Sequence, residues 1–146
     1  MGVVRHQAVV GAPRGKVFEY VDGYQNVPEY LMGVTRFEPR TEQTQGLGSV
    51  FELTIDVGPK KLKSVVECTE YVVDELIELK AIEGFRADTT WRFLDANKGT
   101  ELQVEFSYIL PGGIAGRVLG GIVGPFAAQA IKHTEATIAK NVVILG

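Results

Sequence analysis

Few side chains in this 146-residue chain could do chemistry. Cys68 is the single cysteine. As a nucleophile it would need a nearby base and a lowered pKa. It lies in the strand-like run Lys63 to Tyr71 with neither, so a core or half-buried cysteine is expected. His133-Thr134-Glu135 invites an acid–base reading, but the only other histidine is His6. Helical spacing groups His133 with Gln129, Lys132, Glu135 and Lys140 on a polar side, which predicts a solvated histidine. No HExxH, CxxC, P-loop or GxSxG pattern occurs, so metal, nucleotide and hydrolase chemistry lack support. The expectation is therefore no catalytic residue, no metal and no cofactor. The polar groups left on inward-facing positions are Thr89 and Tyr108, with Ser64 and Arg36 as weaker candidates. A buried tyrosine hydroxyl needs a partner, either a ligand's carbonyl or hydroxyl or the backbone.

These residues must be positioned by strands and one long helix. Val3 to Val10 reads as a strand, and Pro13 suits the first turn of a short helix carrying Val17, Phe18 and Val21. Asp22-Gly23 ends that helix, and a second short piece, Tyr24 to Met32, is interrupted by Pro28 and stopped by Gly33. Both are too short to be stable alone and must pack on something larger. Thr35 to Thr44 could form an edge strand. Ser49 to Val57 alternates, with Phe51, Leu53, Ile55 and Val57 on one face. Gly58-Pro59 turns the chain into Lys61 to Tyr71, followed by Leu76 to Ile82 and, after Gly84, Phe85 to Leu94. With Asn97 to Thr100 as a loop, Trp91 faces Phe106, Phe93 faces Val104, Thr89 faces Tyr108 and Arg92 faces Glu105. A one-residue slip would oppose Trp91 to Glu105. Pro111-Gly112-Gly113 ends the last strand. From Ile114 the spacing is helical: Ile114, Val118, Ile122, Phe126 and Ala130 form a stripe, widened by Leu119, Val123, Ala127, Ile131, Ile138 and Val142. Pro125 predicts a kink or break near Gly120 to Gly124.

Composition bounds the class. The length fits one domain over residues 1–146, with 45% apolar and 23% charged residues. A net charge of -3 argues against nucleic acid, and Lys60, Lys61 and Lys63 read as a solvated turn and edge strand. With one cysteine no internal disulfide can form, so a reducing, cytoplasmic setting is expected. Met1 to Val10 lacks the apolar stretch of a secretory signal. Ile109 to Ile131 is long enough to span a bilayer, but its prolines, six glycines and Arg117 favour a helix buried by a sheet.

Strand, two short helices, an antiparallel meander and a terminal helix together describe an α+β fold. About seven curved strands would surround the helix, with the first strand pairing with the last. This order resembles the helix-grip fold of the START and SRPBCC superfamily, nearest to its bacterial polyketide cyclase/dehydrase and lipid-transport branch. The residues carrying the resemblance are Ala12-Pro13, Val17-Phe18, Val21-Asp22 and Val27-Pro28-Glu29-Tyr30, then Gly48 to Phe51, Thr90-Trp91-Arg92-Phe93 and the glycine-rich helix start.

The resemblance implies a cavity between sheet and helix that holds a hydrophobic small molecule, lipid-, sterol- or polyketide-like. An alternative is a polyketide cyclase, aromatase or dehydratase using the same cavity. The expected ligand-binding residues are Tyr30, Phe51, Leu53, Ile55, Thr89, Trp91, Phe93, Phe106, Tyr108, Val118, Ile122 and Phe126. The glycines from Gly112 to Gly124 read either as a gate or membrane-touching flap, or as close packing of helix backbone on the sheet. Partners beyond the ligand are a transient membrane contact and, at most, a second copy in a homodimer.

Overall fold

A computed structural model describes residues 2–110 and 112–145; Pro111, expected to help end the last strand, lies outside the described residues. The elements run β1 (Gly2–Val10), α1 (Arg14–Asp22), a 3-10 turn (Tyr24–Asn26), α2 (Val27–Tyr30), β2 (Val34–Pro39), β3 (Val50–Val57), β4 (Lys60–Val72), β5 (Leu76–Gly84), β6 (Arg86–Ala96), β7 (Gly99–Ile109) and α3 (Gly113–Leu145). The strands form one seven-stranded sheet in the order β1-β7-β6-β5-β4-β3-β2. Every pairing is antiparallel. The first strand therefore closes on the last, as expected. The sheet curls around α3, which packs on β1, β7 and β3, while α1 and α2 cover one end.

The inward face follows from alternation. Phe51, Leu53, Ile55 and Val57 of β3 are buried, whereas Glu52, Thr54 and Asp56 between them are half-exposed. Across the sheet the rows continue in register: His6 pairs with Val104, Val104 with Trp91, and Trp91 with Ile77. Pro13, in an extended conformation, precedes α1, which buries Val17, Phe18, Tyr20 and Val21.

Several expectations are corrected. The edge strand β2 stops at Pro39, and 40–49 is a loop in which the Gln43 amide donates to Gln45 O (2.6 Å) and Leu47 O (3.0 Å). The β6–β7 hairpin turns on two residues rather than four. Trp91 therefore faces Val104, Phe93 faces Leu102, Thr89 faces Phe106 and Arg92 faces Gln103. A shift by two residues keeps every side chain on its face, so alternation alone could not detect it. What favours the shorter turn is Thr100, fully buried, whose hydroxyl donates to Ala12 O at 2.8 Å.

The terminal helix is unbroken across Pro125, so the expected break is absent; the proline sits on its exposed side. A row of residues at intervals of four drifts by about 40° per step on a helix of 3.6 residues per turn. The row beginning at Ile114 accordingly spirals inward: Ile114 is 79% exposed, Val118 56%, Ile122 and Phe126 are half-buried, and Ala130 is buried. Val118 therefore faces away from the sheet, against expectation. Glu135, expected on the polar side, is instead buried at 1% exposure with Thr134 beside it. His133 is exposed, as read from the sequence.

Gly33 joins three elements. Its φ is +88°, and a Cβ there would overlap the Phe126 ring of α3. Its carbonyl accepts the Asp56 N–H at 2.6 Å. Gly33→Ala should cost about 1–3 kcal/mol through left-handed backbone strain and displaced aromatic packing. Urea unfolding measures this, and an unchanged midpoint would contradict it.

Candidate functional site

Between α3 and the sheet lies a chamber with about 610 Å3 free of protein atoms, its mouth included. The sheet supplies Ile55, Val57, Leu62, Thr89, Trp91, Val104 and Phe106. The helix supplies Val123, Phe126, Ala127, Ala130, Ile131 and Thr134, and Leu31, Met32, Val34 and Phe85 complete the wall. Met32, Leu62, Phe85 and Phe126 are half-exposed and mark the mouth, whereas Trp91, Ile131 and Thr134 are buried and mark the inner end.

Two smaller spaces adjoin it. One of about 500 Å3 is walled by Tyr30, Leu53, Val66 and Leu79 and shares Leu31, Ile55, Thr89, Trp91 and Phe106 with the first. The other, of about 390 Å3, lies under the 3-10 turn and the 40–49 loop and includes Asp22, Tyr24, Phe51 and Cys68. Trp91 stands in the wall of all three. It is held edge-on against Tyr30, with ring centroids 5.8 Å apart at 89°. Tyr30 is fixed in turn by donating its hydroxyl to Val21 O at 2.7 Å. Burial pushes the Tyr30 pKa up, so the phenol stays neutral.

The structure thus gathers Tyr30, Phe51, Leu53, Ile55, Thr89, Trp91, Phe106 and Phe126 around these spaces. Four expected site residues stand elsewhere. Phe93 packs on Phe18 behind the wall, with centroids 5.1 Å apart. Tyr108 packs with Val123 and Ala127 in a separate cluster, and a Cβ on Gly124 would come within 3.3 Å of its hydroxyl. Ile122 packs against the main core, and Val118 faces outward. A Cβ on Gly120 would meet Leu110 Cδ1 at 2.9 Å, so this stretch of helix backbone approaches the end of β7 closely, whereas Gly113 and Gly121 face open space.

The chamber's electrostatics are sparse. Arg36, a candidate inward group, is exposed and paired with Glu38 at 2.7 Å. Ser64 is buried, but its hydroxyl is committed to Phe85 O at 2.8 Å. Burial, aided by the charge of Asp22, pushes the Cys68 thiol up to about 11, so it is protonated and unreactive near neutrality. Burial also raises Asp22, against the hydroxyl that Tyr71 donates to it at 2.7 Å. Among the described residues no cluster of His, Cys, Asp and Glu could hold a metal ion.

Two polar atoms lie outside what the sequence reading anticipates. Thr134 Oγ1 is buried in the chamber wall without a hydrogen-bond partner among the described residues. Glu135 Oε2 lies 2.9 Å from His6 Nδ1, while its Oε1 has no partner among the described residues. Each such orphan costs on the order of 1–3 kcal/mol. The sequence signal for Thr134 is its place three and four residues after Ile131 and Ala130, on the inward stripe.

The sequence matches, over residues 1–142, the family described as polyketide cyclase / dehydrase and lipid transport. No curated protein matches it. Among solved structures it is similar to the TTHA0849 protein of Thermus thermophilus, at 21% identity over 99% of both chains and a TM-score of 0.85. It is also similar to a START superfamily protein from Mycobacterium smegmatis, at 13% identity over 99% of both chains with a TM-score of 0.76. The Zhui aromatase/cyclase from a Streptomyces species is 15% identical over 97% of this chain and 93% of its own, with a TM-score of 0.73. At these identities the likeness to solved structures shows the fold alone. Among the described residues no helix is long and apolar enough to cross a membrane.

Burial pushes the Glu135 pKa up, while His6 opposes that shift. The native state then holds its proton more tightly than the unfolded state, so stability falls as pH rises from the ordinary glutamate value through the folded one. Glu135→Gln cannot ionise. Urea unfolding at a series of pH values should show the variant gaining on the wild type as pH rises through that window. The opposite slope would mean that attraction to His6 dominates.

Proposed function

Because the chain belongs to the polyketide cyclase/dehydrase and lipid-transport family, we propose that it binds and carries a hydrophobic small molecule, lipid-, sterol- or polyketide-like, between the sheet and α3. The observation supporting this most directly is the main chamber's wall, apolar at every position except Thr89 and Thr134. Apolar ligand area removed from water there contributes ~25 cal/mol per Å2 before the cost of immobilisation.

A cyclase, aromatase or dehydratase would need a positioned acid or base to enolise a carbonyl and expel water. The main chamber offers two threonine hydroxyls and no ionisable side chain, which favours carriage over turnover. Transient membrane contact is a second part of this reading. Ile114 and Val118 are exposed on the first turns of α3 with Arg117 between them, a pairing suited to an anionic lipid surface. Replacing Ile114 and Val118 together by Asp should at least halve co-sedimentation with phosphatidylserine-containing vesicles, and unchanged sedimentation would remove this part.

Trp91 is the only tryptophan, so its emission reports on the chamber directly. Titration with cholesterol or a long-chain alcohol should shift that emission saturably. Ala127→Phe, which fills the chamber from the helix side, should weaken the response at least tenfold while leaving the circular dichroism unchanged. Equal affinity in a folded Ala127→Phe variant would rule out the chamber as the site.

A further inference from the structure

Thr89 and Thr134 are the chamber's two polar wall residues, and Thr134 is the one that is fully buried. Thr134 sits at the buried inner end, one helical turn beyond Ala130, and is 1% exposed. A threonine inside a helix ordinarily satisfies its hydroxyl by bonding back to the carbonyl four residues earlier. Here Oγ1 makes no such bond and has no partner among the described residues. Trp91 and Val104, which are paired on neighbouring strands, also line the chamber. Neither side chain can accept a hydrogen bond from a threonine. The half-exposed mouth, by contrast, is lined by Met32, Leu62, Phe85 and Phe126. No Lys, Arg or His lines the chamber. Glu135 is not in its wall and turns to His6 on β1, whose backbone partner is Val104.

Resting on the carrier reading above, we infer that the ligand is electrically neutral and carries one hydrogen-bonding oxygen, a ketone or hydroxyl, which enters first and accepts the Thr134 hydroxyl while the apolar remainder lies toward the mouth. A carboxylate or phosphate buried there would lose its hydration with no cation to replace it, so anionic lipids are excluded as deep ligands. A hydrocarbon without oxygen would fit the walls but leave Thr134 Oγ1 unpaired. The buried end of the wall therefore selects for a neutral polar atom at that end of an otherwise apolar molecule.

Three naphthalene probes of similar shape separate these possibilities by calorimetry at neutral pH: 2-acetylnaphthalene, 2-ethylnaphthalene and 2-naphthoate. Wild-type protein should bind both neutral probes and give no measurable heat with 2-naphthoate. Thr134→Val keeps the shape and removes the hydroxyl. It should weaken 2-acetylnaphthalene about five- to tenfold and leave 2-ethylnaphthalene unchanged or slightly tighter. Thr134→Ser, which keeps a hydroxyl, should retain the preference for the ketone, and Thr134→Ala, which removes it, serves in place of the valine variant should that one not fold. Parallel changes for both neutral probes in Thr134→Val, or tight binding of 2-naphthoate, would overturn the inference while leaving the carrier reading standing. Failure of the wild type to bind either neutral probe would overturn both.

Discussion

One helix must cover the concave face of seven strands, and it is too narrow and too small-sided to fill the space. A helix with its side chains is about 10–12 Å across, whereas a sheet of this size spans roughly six interstrand gaps of about 4.8 Å each before it curls. The stretch of α3 that lines the chamber sets the small side chains of Val123, Ala127 and Ala130 between Phe126 and Ile131. Interiors normally close-pack. Where short side chains oppose a strongly curved sheet, closure is incomplete and a chamber remains. The ends of the interface are different: Ile138 and Val142 are buried in the continuous core near α1, where larger residues meet.

The contrast between the two flanks of α3 follows from the same geometry. Thr134 and Glu135 are adjacent, yet successive helix positions point about 100° apart. One therefore meets the chamber and the other meets β1, where His6 is the polar atom within reach. Two polar side chains beside these spaces are committed to the scaffold, Tyr30 to Val21 and Ser64 to Phe85. Each holds two elements at a fixed separation, which keeps the apolar walls from collapsing onto each other.

Much of the architecture was legible in the residues. The alternation of β3, the closure of β1 on β7 and the terminal helix are local patterns that one face of burial enforces. The β6–β7 register was not, because a two-residue shift preserves every inward and outward assignment. The placement of Val118 failed because a row at intervals of four does not stay on one face of a long helix. Of the site, the strand-borne walls were readable, since Ile55, Trp91 and Phe106 could only face inward. Glu135 was misread because its partner His6 comes from the opposite end of the chain, a contact no local spacing encodes. Thr134 was passed over because a threonine on an apolar stripe carries no signal that its hydroxyl lacks a partner.

The closure of the sheet also bears on how the chain reaches this state. Gly2 pairs with Tyr108 and Val10 with Thr100, so the first strand of this fold has its ladder partner in the last. Until β7 emerges, β1 remains an unpaired ribbon, and the edge of β6 that β7 will occupy is equally open. Such distant pairing slows folding and lengthens the time during which strand edges can pair with other chains. Arg5 and Gln7 on the outer face of β1 suit that interval, since charged and polar side chains on a waiting edge discourage intermolecular association.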